Sequence, residues 1–180
     1  MRKMKLLLVL FLLFTVAFSQ KSVAQIIITE KSKVTFSVSH MTGTVEGTIM
    51  GMQGTVNFDE NNLTGSTMQA SVEAKTVDTG NNARDSDLRK DKFFQVERYP
   101  QVKFQSRTIS KTAEGYQVTG DLTIKARTRE VIIPFQREVK NGETIYTGQF
   151  SLNRKDYDLG KSAFPPMGKT VKVNIVAIVK

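Results

Sequence analysis

Side chains able to do chemistry are sparse in this 180-residue chain, which has one histidine, His40, and no cysteine or tryptophan. Without cysteine there are no disulfides, no thiolate-held zinc or iron–sulfur cluster and no thiol nucleophile, and one imidazole rules out every site that needs two. Two tight carboxylate pairs occur, Asp85-x-Asp87 and Asp156-x-Asp158. A calcium loop starting at Asp85 would need more oxygen donors and a glycine where Arg89 and Lys90 stand, so these acids read as surface groups paired with nearby arginines. No serine occupies a Gly-x-Ser-x-Gly elbow, and no His-Glu-x-x-His is present. Gly168-Lys169-Thr170 matches the tail of a phosphate loop, but Ala163 takes the place of the upstream glycine and Pro165-Pro166 intervenes. His40 continues the parity of Phe36 and Val38. It is therefore expected to point inward, either as a hydrogen-bonded core histidine or as a head-group contact at a pocket mouth.

The elements that must position these residues are almost all strands. Val34, Phe36 and Val38 alternate with Thr35, Ser37 and Ser39, the period-2 pattern of a half-buried strand. The alternation returns at Met68 to Ala74, Val102/Phe104, Tyr116/Val118 into Leu122/Ile124, and Val131 to Phe135, and it closes over Val171 to Val179. Turn signals separate the runs: Asp59-Glu60-Asn61-Asn62, Ala113-Glu114-Gly115 and Asn141-Gly142, the last a strong hairpin dipeptide. Interior glycines (Gly43, Gly47, Gly51, Gly54 and Gly120) mark bulges and bends where a sheet curls. Short antiparallel strands that must hide their edges favour closure. The expected fold is all-β with minor α: a closed antiparallel eight-stranded β-barrel. Arg84 to Arg98 departs from the pattern, with Leu88, Phe93 and Phe94 among charges, and reads as one or two helical turns ending before Tyr99-Pro100. Its adjacent phenylalanines suit a lid or plug.

Residues 1–24 read as a leader outside the fold. Arg2, Lys3 and Lys5 precede an apolar run, Leu6 to Phe18, whose thirteen residues rise about 20 Å as a helix, short of a hydrocarbon core of roughly 30 Å. Ser22-Val23-Ala24 then supplies small residues at the positions a signal peptidase inspects, so cleavage is expected after Ala24 and residues 25–180 form one exported domain, periplasmic or secreted. The chain's formal charge is +9, but four of its 26 basic residues and none of its 17 acidic ones lie in the leader, leaving +5. The remaining cations are interspersed with acids, as in Lys90-Asp91-Lys92, which argues against a nucleic-acid footprint and leaves room for transient contact with anionic membrane surfaces.

What remains is an apolar-lined β structure with no evident reaction chemistry. An eight-stranded barrel can be filled by its own side chains or hold one small ligand. Phe36, Met50, Met52, Phe104, Leu122 and Phe135 are the residues expected to line such a bore, and an acyl or isoprenoid tail is its natural occupant.

A resemblance supports this. Ser32-Lys33-Val34-Thr35-Phe36-Ser37-Val38-Ser39-His40 resembles the opening strand of the YceI-like family of bacterial exported proteins. The likeness continues through Gly54-Thr55-Val56-Asn57-Phe58-Asp59, Thr76-Val77-Asp78-Thr79, Arg84-Asp85, Leu88-Arg89, Phe93-Phe94, Tyr99-Pro100 and Phe104-Gln105-Ser106. Gly120-Asp121-Leu122-Thr123-Ile124, Thr128-Arg129 and Asn153-Arg154-Lys155-Asp156-Tyr157 extend it over nearly the whole of residues 25–180. Asp87 stands where the family's Arg-Asp-x-His-Leu motif has histidine, and Ala126 where glycine is common. The resemblance implies a lipocalin-like barrel holding a polyisoprenoid or similar amphiphile, with no settled catalytic activity and no cofactor, often as a homodimer. It implies Phe36, Val38, His40, Phe104 and Leu122 as pocket residues, and Arg84-Asp85 as the pin of the short helix. Three functions stay open: a non-catalytic lipid carrier, an enzyme acting on an isoprenoid lipid or quinone through His40, Asp85 or Arg154, and a stress-response interaction module whose bore is filled.

Overall fold

The computed structural model describes residues 24–160 and 167–180, so the expected leader, apart from Ala24, lies outside the described residues. Ten strands follow the chain: β1 (Gln25–Ile26), β2 (Lys33–His40), β3 (Gly43–Ile49), β4 (Gln53–Asn57), β5 (Thr67–Glu73), β6 (Gln101–Thr112), β7 (Gly115–Ile124), β8 (Arg127–Lys140), β9 (Glu143–Asn153) and β10 (Met167–Val179). One helix, α1 (Asn82–Arg89), stands between β5 and β6. The strands form one sheet in the order β1-β4-β5-β6-β7-β8-β9-β10-β2-β3, every neighbouring pair antiparallel.

The sheet curls until its first strand meets its far side. β1 pairs with β4 through Gln25↔Val56 and Ile26↔Thr55. Beyond it, the Ile28 N–H donates to Ile178 O at 2.7 Å and the Ile26 N–H to Lys180 O at 3.2 Å, past the end of β10. At the other end of the order, an isolated bridge joins Thr48 of β3 to Asp78, in the segment that leads into α1. The curl is helped by a bulge between Ser106 and Thr108 of β6, opposite Gly120. The β8–β9 hairpin turns at Asn141 and Gly142, which both take positive φ (53° and 77°), the twist that matches right-twisted strands.

Two expectations are corrected. Among the described residues there are ten strands where the alternation suggested eight, because a 3-10 turn at Thr29–Lys31, a tight turn at Met41-Thr42 and a kink over Met50 to Met52 cut the first third of the fold into four short strands. The helical segment is Asn82–Arg89, not Arg84 to Arg98. The Asn81 side chain caps it by accepting from the Arg84 N–H at 3.0 Å, and Lys90 ends it in an extended conformation. Turns follow, with Gln95 at φ 52°; the Phe94 N–H reaches back to Leu88 O and the Val96 N–H to Arg89 O. Spacing of apolar residues does not separate a helix from a run of tight turns.

Inward residues of all the long strands merge into one core, including Val56, Val72, Ile109, Val118, Ile133, Phe135, Tyr146 and Val179. A smaller cluster of Leu122, Ile124, Tyr157 and Leu159 continues it at one end. At the opposite end the Phe58 ring meets Tyr116, Phe135 and Tyr146 edge-on, at centroid distances of 4.9, 5.9 and 5.9 Å.

Candidate functional site

The inward faces do not meet in the middle. They leave a cavity of about 230 Å³ that follows the sheet from Ile27, Val56 and Phe135 at the ringed end to Val38, Leu159 and Met167 at the other. Along β10 its wall runs from Met167 to Ala177, about 33 Å at the usual rise of an extended strand. One water needs roughly 10–15 Å³ and two to four polar partners. This space is far larger and its wall almost wholly apolar, which favours an oily occupant over water.

The wall brings together most of the residues read from the sequence: Phe36 and Val38 on β2, Met52 before β4, Phe93 and Phe94 after α1, Phe104 on β6, Leu122 on β7 and Phe135 on β8. Leu88 of α1 joins Phe93 and Phe94, so the helix and the turn behind it cover the cavity from one side. Two expected residues are not part of the wall. His40, at the last position of β2, is partly exposed, opposite the wall residue Met167, with its Nδ1 3.3 Å from Thr42 Oγ1 across the tight turn. Met50 is 37% exposed while Met52 is 2% exposed. The Met50 N–H is taken by Thr76 Oγ1 at 2.8 Å and Gly51 adopts φ 71°, so the kink turns Met50 outward and Met52 inward.

Rings reach the wall where glycines leave room. A Cβ on Gly47 would lie 2.4 Å from the Phe36 ring, and one on Gly120 would lie 2.6 Å from the Phe104 ring. Each phenyl group therefore rests in the space of a missing side chain on the adjoining strand.

Asp85 is not a surface acid. It is 3% exposed, and its Oδ1 accepts from the Thr79 N–H (2.9 Å) and the Thr79 hydroxyl (2.5 Å). Arg84 reaches the same residue, Nε donating to Thr79 Oγ1 at 2.7 Å and Nη2 to Thr79 O at 3.0 Å. Arg89 donates to Lys75 O and Val77 O, both at 2.8 Å. Together these bonds pin α1 to the segment before it, which fits the architectural role implied for Arg84-Asp85. Asp87 instead pairs on the surface with Lys90 at 2.8 Å, an interaction that holds its carboxyl below the usual range. Asp158 pairs with Arg127 at 2.8 Å.

Arg154 is the residue that strand patterning does not mark. It begins a 3-10 turn after β9, is 4% exposed and belongs to the cavity wall. Its guanidinium donates to Leu159 O (2.7 Å), Gly160 O (2.6 Å), Met167 O (2.9 Å) and Gly168 O (2.7 Å), and burial lowers its pKa. Tyr157, on the same turn, is 2% exposed; burial pushes its pKa up to about 12, and its hydroxyl has no hydrogen-bond partner among the described residues. His40 and Asp85 do not line the cavity, so the three residues considered for catalysis do not assemble on one wall.

The YceI-like domain model matches residues 26–178. Protein YceI of Escherichia coli is 32% identical over 101 residues, 56% of this chain and 53% of that protein, so the chain spans about half the length of the curated relatives it matches. Among solved structures, BcnA of Burkholderia cenocepacia superposes with a TM-score of 0.79 at 23% identity, over 86% of this chain and 99% of that one. A polyisoprenoid binding domain from Saccharophagus degradans gives a TM-score of 0.67 at 13% identity, over 87% and 97%. At these identities the two structures speak to the fold. With the family model spanning both ends of the curled sheet and the wall between them, the chain belongs to the YceI-like domain family.

Proposed function

We propose that this chain is an exported, non-catalytic carrier that holds a polyisoprenoid or similar amphiphilic lipid in its cavity. The observation that carries the reading is the long, almost wholly apolar space between sheet faces that would otherwise have closed on each other. The polyisoprenoid-binding description of one structural neighbour supports it. Burying a methylene contributes about 0.8 kcal/mol, and micromolar affinity needs about 8 kcal/mol after ordering costs of similar size. Roughly 20 buried carbons would suffice, and a 33 Å wall offers that contact. In this reading the curled sheet works as a closed barrel around the tail, and the leader is removed after Ala24. The mature surface, at +5, makes transient contact with anionic membrane during loading, as a monomer or a homodimer.

Purification from the native host, solvent extraction and mass spectrometry are expected to yield a long-chain lipid in near-stoichiometric amount. The double variant Val173→Phe/Ala177→Phe, which fills the wall of β10, is expected to keep the fold and lose most of that lipid. A wild-type protein that carries no lipid, and takes up none when offered, would end the carrier reading.

A further inference from the structure

Two cations are among the wall residues, Lys103, which is exposed, and Arg154, which is buried. Arg154 is a buried cation whose four bonds to protein all end on backbone carbonyls, and it makes no ion pair among the described residues. Between Gly160 and Met167 the sequence runs Lys-Ser-Ala-Phe-Pro-Pro and holds no acid. Carbonyl dipoles satisfy its hydrogens but leave the net charge unbalanced, and desolvation is the sole cause that lowers its pKa, with no carboxylate opposing it. A guanidinium has five N–H groups, and one hydrogen on Nη2 has no acceptor among the described residues.

The neighbourhood reinforces the sign. Arg129 and Arg127 pair across the strands with Leu122 and Ile124, two residues of the wall, and so share the inward face at this end. Both are exposed and neither is a wall residue; Arg127 is paired with Asp158, and Arg129 donates to the Thr128 carbonyl. At the far end Tyr146 is neutral, and the cation that acts on it, Arg137, is exposed, stands outside the wall and lies 5.8 Å over the Phe58 ring, so no buried cation faces the cavity there among the described residues.

We infer that Arg154 seats an anionic oxygen head group, a phosphate or a carboxylate, of the bound lipid, and that the tail points toward Phe135 and Tyr146. This rests on the carrier reading, and it sets the direction of the ligand and the class of its head. A charge-assisted hydrogen bond in a desolvated wall should favour the anion over an uncharged head by ten- to hundredfold.

The test compares farnesyl phosphate, farnesoic acid and farnesol, which share one tail, by calorimetry on the full mature chain. Wild type should bind at least one anion about tenfold or more tighter than the alcohol, and the tighter of the two identifies the class of the head. Arg154→Gln should bring all three to the farnesol affinity, and Arg154→Lys should keep part of the preference. Equal affinity for the three in wild type overturns the inference and leaves the carrier reading standing; binding of none removes the carrier reading itself. A preference that survives in folded Arg154→Gln also overturns it. Should that variant not fold, a wild-type cocrystal with the preferred anion decides: its acidic oxygens within hydrogen-bond reach of Arg154 Nη2 support the assignment, and a head among the rings of the other end refutes it.

Discussion

The two ends of the curled sheet are stopped by different means. At one, three aromatic rings pack edge to face around Phe58 and close the space with side chains continuous with the core. At the other, α1 and the turns behind it are held by arginines that donate to backbone carbonyls: Arg89 to Lys75 and Val77, and, at the same end, Arg154 to Leu159, Gly160, Met167 and Gly168. Ring packing is shared among many neighbours and fails only with the whole core. A covering held by a few donors can release in part while the strands stay paired. The second end is thus the one expected to open locally, and the first the one expected to stay closed.

Three measurements would break or sharpen that contrast. The largest effect is expected for Phe135→Ala, which removes a ring from both the aromatic cluster and the core. It should cost about 3 kcal/mol of global stability, seen as a lower urea midpoint, and a loss below about 1 kcal/mol would mean that the ringed end is not part of the core. Arg89→Ala removes two donors from the covering. The expected cost is about 1–2 kcal/mol, concentrated locally, with amide exchange at Phe94 and Val96 accelerated while Val118 and Val173 keep their protection. Uniform acceleration would show that the covering and the sheet open as one unit.

The smallest effect belongs to Tyr157. Its folded pKa of about 12 lies above the ordinary tyrosine value of about 10, so folding favours the protonated form. The associated stability is complete below pH 10 and is lost as pH climbs from about 10 to about 12, amounting to roughly 2–3 kcal/mol at the top of that window. Tyr157→Phe should flatten the alkaline decline and change stability by less than about 1 kcal/mol at pH 7, because the hydroxyl has no partner to lose among the described residues. A decline that persists in the variant would assign it to other groups.

The long strands were legible because their alternation is unbroken: the run closing on Val179 became β10, and Asn141-Gly142 became the turn its left-handed tolerance allows. The cavity residues followed from the same parity, which is why Phe36, Phe104, Leu122 and Phe135 fell on one wall. Parity fails where a strand ends. Met50 sits one step after a strand and does not inherit the direction of its neighbours, while His40, the last residue of its strand, is left partly exposed beside a turn. Arg154 was visible within the Asn153-to-Tyr157 stretch as a reactive option, yet its carbonyl partners lie five to fourteen residues further along the chain and carry no side-chain signature. Only the folded backbone shows why a cation can be buried there.

The glycines under the rings of Phe36 and Phe104 have a consequence for what such a wall can admit. Because each phenyl lies back into a recess made by an absent methyl, the bore's calibre is set from behind, by the smallest residues in the sheet. A single alanine at Gly47 or Gly120 would press on both a ring and a backbone carbonyl, of Asp78 or Gln105, and so shift the wall without changing any residue that lines it. Gauge and grip are therefore separable here, one written in hydrogen atoms on the backbone and the other in the side chains that meet the cargo.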